Sequence, residues 1–122
     1  MPTILIVEDS PSIRQLLHTL LTWAGYTTLF AADGASALER TELESPDMVL
    51  MDLDLPVLNG WEATRLLKAT PRLRHIPVIV VSARAFPEER QAAFAVGCDA
   101  YEPKPIDIHK LLATLQALQP VA

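Results

Sequence analysis

The chain has 122 residues, half of them hydrophobic and a fifth charged, enough for one soluble globular domain with a core of its own. Its net charge of −5, with no Lys/Arg run to offset it, argues against nucleic acid as a direct partner. The lone cysteine, Cys98, excludes an intrachain disulfide and a cysteine-based zinc site, and no stretch approaches the roughly 20 apolar residues of a membrane span.

Met1-Pro2-Thr3 leads straight into a strand, so no signal peptide is expected and a cytoplasmic setting follows. That strand, Thr3 to Val7, is short, apolar and β-branched, as a buried parallel strand should be. Asp9-Ser10-Pro11 opens a helix with a capping side chain and a proline in the first turn. Ile13, Leu16, Leu17, Leu20 and Leu21 follow at helical spacing, and Gly25 ends the segment. Thr27 to Ala31 is strand-like. Asp33-Gly34 enters a second helix, Ala35 to Leu43. Met48 to Met51 is the third strand, and Asn59-Gly60 turns into a helix over Trp61 to Ala69. Val78 to Val81 is an aliphatic strand behind Pro77. Pro87 to Val96 is helical and ends at Gly97. Ala100-Tyr101 is a short strand, and Ile108 to Leu118 is the last helix.

Five strands alternate with five helices, and no gap holds a second domain. The pattern predicts an α/β fold: a doubly wound, five-stranded parallel sheet with helices on both faces. Sites in such sheets form outside the carboxyl ends of the strands. There the sequence places Glu8-Asp9, Asp52, Ser82 and Lys104, each closing its own strand. Three carboxylates together repel by roughly 4 kcal/mol per pair at an effective dielectric of 20, so the cluster calls for a cation. All-oxygen ligands favour Mg²⁺. Such a site suits phosphoryl transfer to Asp52 as nucleophile, with Lys104 and Ser82 on the phosphoryl oxygens. Taken singly, Asp9 also reads as a helix cap, Ser82 as a strand-end hydroxyl, Lys104 as a surface charge and Tyr101 as a half-buried aromatic.

The runs Ile4-Leu5-Ile6-Val7-Glu8-Asp9, Leu50-Met51-Asp52 with Leu55-Pro56 and Asn59-Gly60, Val80-Val81-Ser82-Ala83, and Tyr101 with Lys104-Pro105 resemble the receiver domain of two-component response regulators. The resemblance covers essentially the whole chain, as a single receiver domain over residues 1–122 without an output domain. It implies the flavodoxin-like strand order 2-1-3-4-5 in a (βα)5 chain. It also implies Asp52 as phosphoacceptor, with Mg²⁺ held by Asp9, Asp52 and the backbone carbonyl of Asp54, and by Glu8 through water. Ser82 and Lys104 would bind the phosphoryl oxygens, and the Lys104–Pro105 peptide would be cis. Phosphorylation would draw Ser82 in, let Tyr101 turn inward and change the surface of the fourth helix, fifth strand and fifth helix, a population shift that a partner reads. The implied partners are a histidine kinase or phosphotransfer protein and a downstream protein target. A monomer or a weak homodimer is expected, with no membrane partner.

Asp54 and Arg84 depart from the family's commonest pattern. Either they pair across the mouth of the site and tune the lifetime of the phosphoryl group, or they are two solvated charges. Trp23 and Trp61 read as packing residues, Cys98 as a small, unreactive one, and His18, His75 and His109 fit no metal spacing. Two other function classes stand beside the switch. Asp52-Leu53-Asp54 has the Asp-x-Asp spacing of haloacid-dehalogenase-type phosphohydrolases, although their nucleophile ends the first strand and no segment here forms a substrate cap. A receiver-like scaffold that works without phosphorylation is the other. A nucleotide or flavin binder is disfavoured because no glycine-rich loop follows the first strand.

Overall fold

The computed structural model describes residues 1–83 and 86–120. Its elements, in chain order, are β1 (Thr3–Val7), α1 (Pro11–Trp23), β2 (Thr27–Ala31), α2 (Gly34–Glu44), β3 (Met48–Asp52), α3 (Gly60–Ala69), β4 (Val78–Ser82), α4 (Pro87–Ala95), β5 (Ala100–Pro103) and α5 (Ile108–Leu118). The strands form one parallel sheet in the order β2-β1-β3-β4-β5. The fold class is the one the sequence pattern predicts, and the strand order is the one the family resemblance implies.

The period-2 alternation of the strands sorts the core into two layers. Ile4, Ile6, Met48, Leu50, Ile79 and Val81 face α1 and α5, where they meet Leu17, Leu21, Leu111 and Leu115. Leu5, Val7, Val49, Met51, Val78 and Val80 face α2, α3 and α4, where they meet Ala37, Ala63, Leu67 and Ala93. Because both faces are covered, the central strands are apolar throughout rather than alternating.

Local chemistry sets the helix starts. Ser10 Oγ accepts from Ile13 N–H, Asp33 Oδ1 from Ser36 N–H, Asn59 Oδ1 from Glu62 N–H and Asp107 Oδ1 from His109 N–H. Each satisfies one of the donors a helix N-terminus leaves open. In α1 the cap is Ser10, with Pro11 at the first helical position. Asp9 is therefore not spent on the helix. At the amino-terminal rim of the sheet, Asp47 accepts from Thr3 N–H and Asp99 from Val78 N–H. Lys68 Nζ ties that rim to α3, donating to Asp99 at 2.8 Å and to the carbonyls of Ile76 and Arg74.

One packing expectation is corrected. Trp61 is half-buried and packs on the core, but Trp23 is 84% exposed. Trp23 lies two residues past buried Leu21, about 200° further round the helix, and so points away from the sheet. β5 is four residues long where two were expected, because it pairs with β4 as far as Ser82.

Thr64 lies fully buried on α3, and its hydroxyl has no hydrogen-bond partner among the described residues. Thr64→Val keeps the branched shape and removes an unpaired polar group, so it is expected to stabilise the protein by about 1 kcal/mol. Urea unfolding checks this; a lowered midpoint would refute it.

Candidate functional site

The register of the sheet brings the strand ends level. Val7 pairs with Met51, Asp52 with Val81, and Ser82 with Pro103. Glu8 and Asp52 prolong the face of β1 and β3 that carries Ile6 and Leu50. Both carboxylates sit over a cavity of about 10 Å³ whose apolar walls include Ile6, Leu17, Leu50, Val81 and Ile106. They are almost fully buried, Glu8 at 3% and Asp52 at 6% exposure. Asp9 is exposed beside them. Carboxylate oxygens of Glu8, Asp9 and Asp52 all lie within 4.8 Å of one another.

Lys104 reaches this cluster from the segment after β5. Its backbone N–H donates to Ser82 O at 2.7 Å, and the Lys104–Pro105 bond is cis. Its Nζ donates to Glu8 Oε1 at 3.0 Å and stands 3.6 Å from Asp52 Oδ1. The other Glu8 oxygen accepts from Ser10 N–H at 3.2 Å, and Asp52 Oδ1 accepts from Asp54 N–H at 3.3 Å. Ser82 is fully buried at the end of β4.

These contacts divide the charge unequally. Burial first, and the neighbouring Glu8 charge second, push the Asp52 carboxyl up to about 6, against the opposing pull of Lys104 and the Asp54 N–H. Burial also works against ionised Glu8. There the hydrogen bonds from Lys104 and Ser10 win, and its carboxyl is held below the usual range. For Lys104, burial disfavours the ammonium, but the Glu8 hydrogen bond and the Asp52 charge outweigh it and raise its pKa. In a cluster of three carboxylates, Lys104 thus hydrogen-bonds Glu8 and stands farther from Asp52, leaving Asp52 under-compensated. An all-oxygen set of this kind, partly buried and short of positive charge, fits a hard dication such as Mg²⁺.

The loop after β3 is drawn tight beside the site. Leu58 N–H donates to Pro56 O at 2.7 Å across Val57, whose φ is +66°. This γ-turn puts a β-branched residue in the left-handed region, a strained arrangement. Asp54 is exposed at the start of that loop. Arg84 lies outside the described residues, and with it the proposed pairing to Asp54. Tyr101 is already 6% exposed, packed in the layer of Val78, Val80 and Ala93.

Sequence reasoning did not anticipate an apolar groove beside the site. It has a volume of about 300 Å³ and is lined by Leu16, Leu20, Lys104, Pro105 and Ile106, among others. Leu16 is 58% exposed there. The signal was present in the breadth of the leucine stripe of α1, which is wider than the sheet can cover.

Comparison with known proteins agrees with this geometry. The family model described as the response regulator receiver domain matches residues 4–116. The polar-differentiation response regulator DivK of Brucella anthropi is 36% identical over 115 residues, covering 94% of each chain. The chemotaxis protein CheY4 of Vibrio cholerae superimposes with a TM-score of 0.90 at 33% identity, over 97% of this chain and 98% of that one. The receiver domain of a sensor histidine kinase from Pseudomonas aeruginosa, solved with a magnesium ion coordinated in its active-site cleft, superimposes with a TM-score of 0.89 at 34% identity, over 96% of each chain.

Proposed function

The chain belongs to the response regulator receiver family of two-component signalling, and from that premise we propose that Asp52 accepts a phosphoryl group and thereby switches a protein-binding surface. The observation that carries the reading is the convergence of Glu8, Asp9 and Asp52 within 4.8 Å, with Lys104 Nζ 3.6 Å from Asp52. Asp52 Oδ attacks the phosphorus of a phosphohistidine, the P–N bond breaks, and the imidazole leaves to a histidine kinase or phosphotransfer protein. Lys104 and Ser82 take the phosphoryl oxygens. The Lys104 ammonium has three donors, so it can serve a phosphoryl oxygen while one N–H stays on Glu8. Glu8, Asp9, Asp52 and the carbonyl of Asp54 are the groups that would hold Mg²⁺, which supplies positive charge against the transferring group. Water later hydrolyses the acyl phosphate, so the domain does not turn over a separate substrate as an enzyme would.

The output surface is that of α4, β5 and α5. Tyr101 lines a groove of about 470 Å³ there, together with Arg90, Glu102, Lys110 and Thr114. Tyr101 is buried, and the phosphoryl group would act on the balance between two states of this surface. The reading is of one receiver domain spanning residues 1–122, working in the cytoplasm between a phosphodonor and a downstream target. Among the described residues, no helix is long and apolar enough to cross a membrane.

Acetyl phosphate with Mg²⁺ tests the reading. Intact mass should rise by one phosphoryl group, and not in Asp52→Asn. No adduct would favour a scaffold, and phosphate release with many turnovers would favour a phosphohydrolase.

The donor must reach Asp52, so it must cover the surface beside it. The apolar groove along α1 that ends at Lys104-Pro105 meets that need. Leu16→Glu is expected to slow transfer from a phosphorylated histidine phosphotransfer domain about tenfold or more, as loss of an interface anchor does. Its reaction with acetyl phosphate should be unchanged. Equal slowing with both donors would show damage to the site instead of lost docking.

A further inference from the structure

The two edges of the sheet are protected very differently. β5 carries Glu102 and Pro103 and runs on into Lys104-Pro105, the charges and prolines that normally blunt an edge strand. β2 carries none of these. The whole stretch Tyr26-Thr27-Thr28-Leu29-Phe30-Ala31-Ala32 has no charge, no proline and no glycine.

The hydrogen-bond parity of β2 shows what this edge offers. Thr27 N–H donates to Pro2 O, and Ala31 O accepts from Glu8 N–H. With the register Thr3↔Thr27 to Val7↔Ala31, the odd-numbered residues spend their backbone groups on β1. The N–H and C=O of Thr28 and Phe30 therefore point outward, and β2 pairs with no strand but β1 among the described residues. The side chains leave the edge accessible: Thr27 and Phe30 are exposed, and Thr28 and Leu29 are half-buried. An open groove of about 330 Å³, lined by Pro11, Arg14, Gln15 and Phe30, runs beside it on the α1 face.

We propose that this edge pairs with β2 of a second copy of the chain, antiparallel about a two-fold axis at Leu29. That register places Thr28 opposite Phe30 of the second copy and Phe30 opposite its Thr28. In an antiparallel ladder, directly opposed residues of this kind exchange both N–H···O=C bonds. All the outward groups of Thr28 and Phe30 are then satisfied at once, and the contact closes on itself as an isologous dimer. Leu29 meets its counterpart on the α2 face. A neutral edge suits two chains that each carry a net charge of −5, because the two paired strands themselves bring no charges face to face. The occupant has to be a strand, since backbone groups are what the edge presents. The antiparallel arrangement puts the carboxyl ends of the two sets of strands at opposite ends of the joined sheet. Both phosphorylation sites stay open, so the pairing does not depend on Asp52.

Sedimentation equilibrium of the full chain over a concentration series tests the proposal, with amide exchange followed residue by residue. The weight-average mass should climb from 13.4 kDa toward twice that value, and exchange at Thr28 and Phe30 should slow as it does. T28K/F30K sets like charges directly opposite and should abolish the rise. T28E/F30K sets opposite charges there and should restore it, with circular dichroism confirming that both variants fold. Asp52→Asn should dimerise as the parent does, which separates this test from that of the phosphoacceptor. A mass fixed at the monomer value at the highest soluble concentration would overturn the proposal. So would a rise that leaves the Thr28 and Phe30 amides untouched, or no recovery in folded T28E/F30K.

Discussion

Asp52→Asn is expected to stabilise the metal-free protein by about 2–3 kcal/mol above about pH 7 while abolishing phosphoryl incorporation. The cause is the site's own electrostatics. Asp52 is buried beside ionised Glu8, and Lys104 is spent mainly on Glu8, so the Asp52 carboxyl rises from 3.8 to about 6. Between those values the native state binds more protons than the unfolded chain. Stability attributable to this group therefore falls as pH rises through that window, and the full cost is present above about 6. An amide removes the charge and leaves the Glu8–Lys104 pair, at 3.0 Å, in place. The advantage of the variant should shrink as pH falls and vanish below about pH 4, where both chains hold a neutral group. Urea titrations of both proteins in a chelator, at several pH values, measure it. Coincident midpoints above pH 7 would mean that Lys104 compensates Asp52 fully. Adding Mg²⁺ should reverse the order, because the parent gains a ligand set that the variant has weakened.

The same electrostatics explain what the sequence could and could not reveal. Thr3–Val7, Thr27–Ala31 and Ile108–Leu118 run as predicted, since their signals are local: an aliphatic run between turn residues, or a leucine stripe behind an aspartate cap. The rim position of Glu8, Asp9, Asp52 and Lys104 followed from the rule that places sites at strand ends. Whether Asp9 capped α1 could not be read, because Ser10 next to it is an equally good cap, and only the backbone geometry assigns the role to Ser10. The partition of Lys104 between Glu8 and Asp52 depends on distances that no spacing encodes. The Lys68–Asp99 bond joins residues 31 apart, and neither carries a motif. Trp23 departs from its expected packing role because hydrophobicity marks what prefers burial, whereas the angle around α1 decides what obtains it.

Gly60→Ala is expected to be strongly damaging, costing about 3 kcal/mol or more. Gly60 opens α3, and its N–H donates to Leu53 O at 3.0 Å. A Cβ there would lie 2.0 Å from the Asp52 carbonyl oxygen and 2.7 Å from Leu53 Cα. Both are backbone atoms of the strand end that carries the phosphoacceptor, so no side-chain rotation relieves the clash. Either α3 lifts from the sheet or the end of β3 moves. If β3 moves, Asp52 shifts against Lys104, and a displacement of about 1 Å at a reacting group costs on the order of a hundredfold in rate. Gly25→Ala is the control. Gly25 has φ +97°, and an added methyl would meet nothing within 4 Å, so it should lose only about 1 kcal/mol to backbone strain. Its phosphorylation by acetyl phosphate should be unchanged. Thermal melts and acetyl phosphate kinetics on the two variants separate a general glycine effect from this close approach. Equal behaviour of the two would mean that the contact between Gly60 and Asp52 does not hold the phosphoacceptor in place.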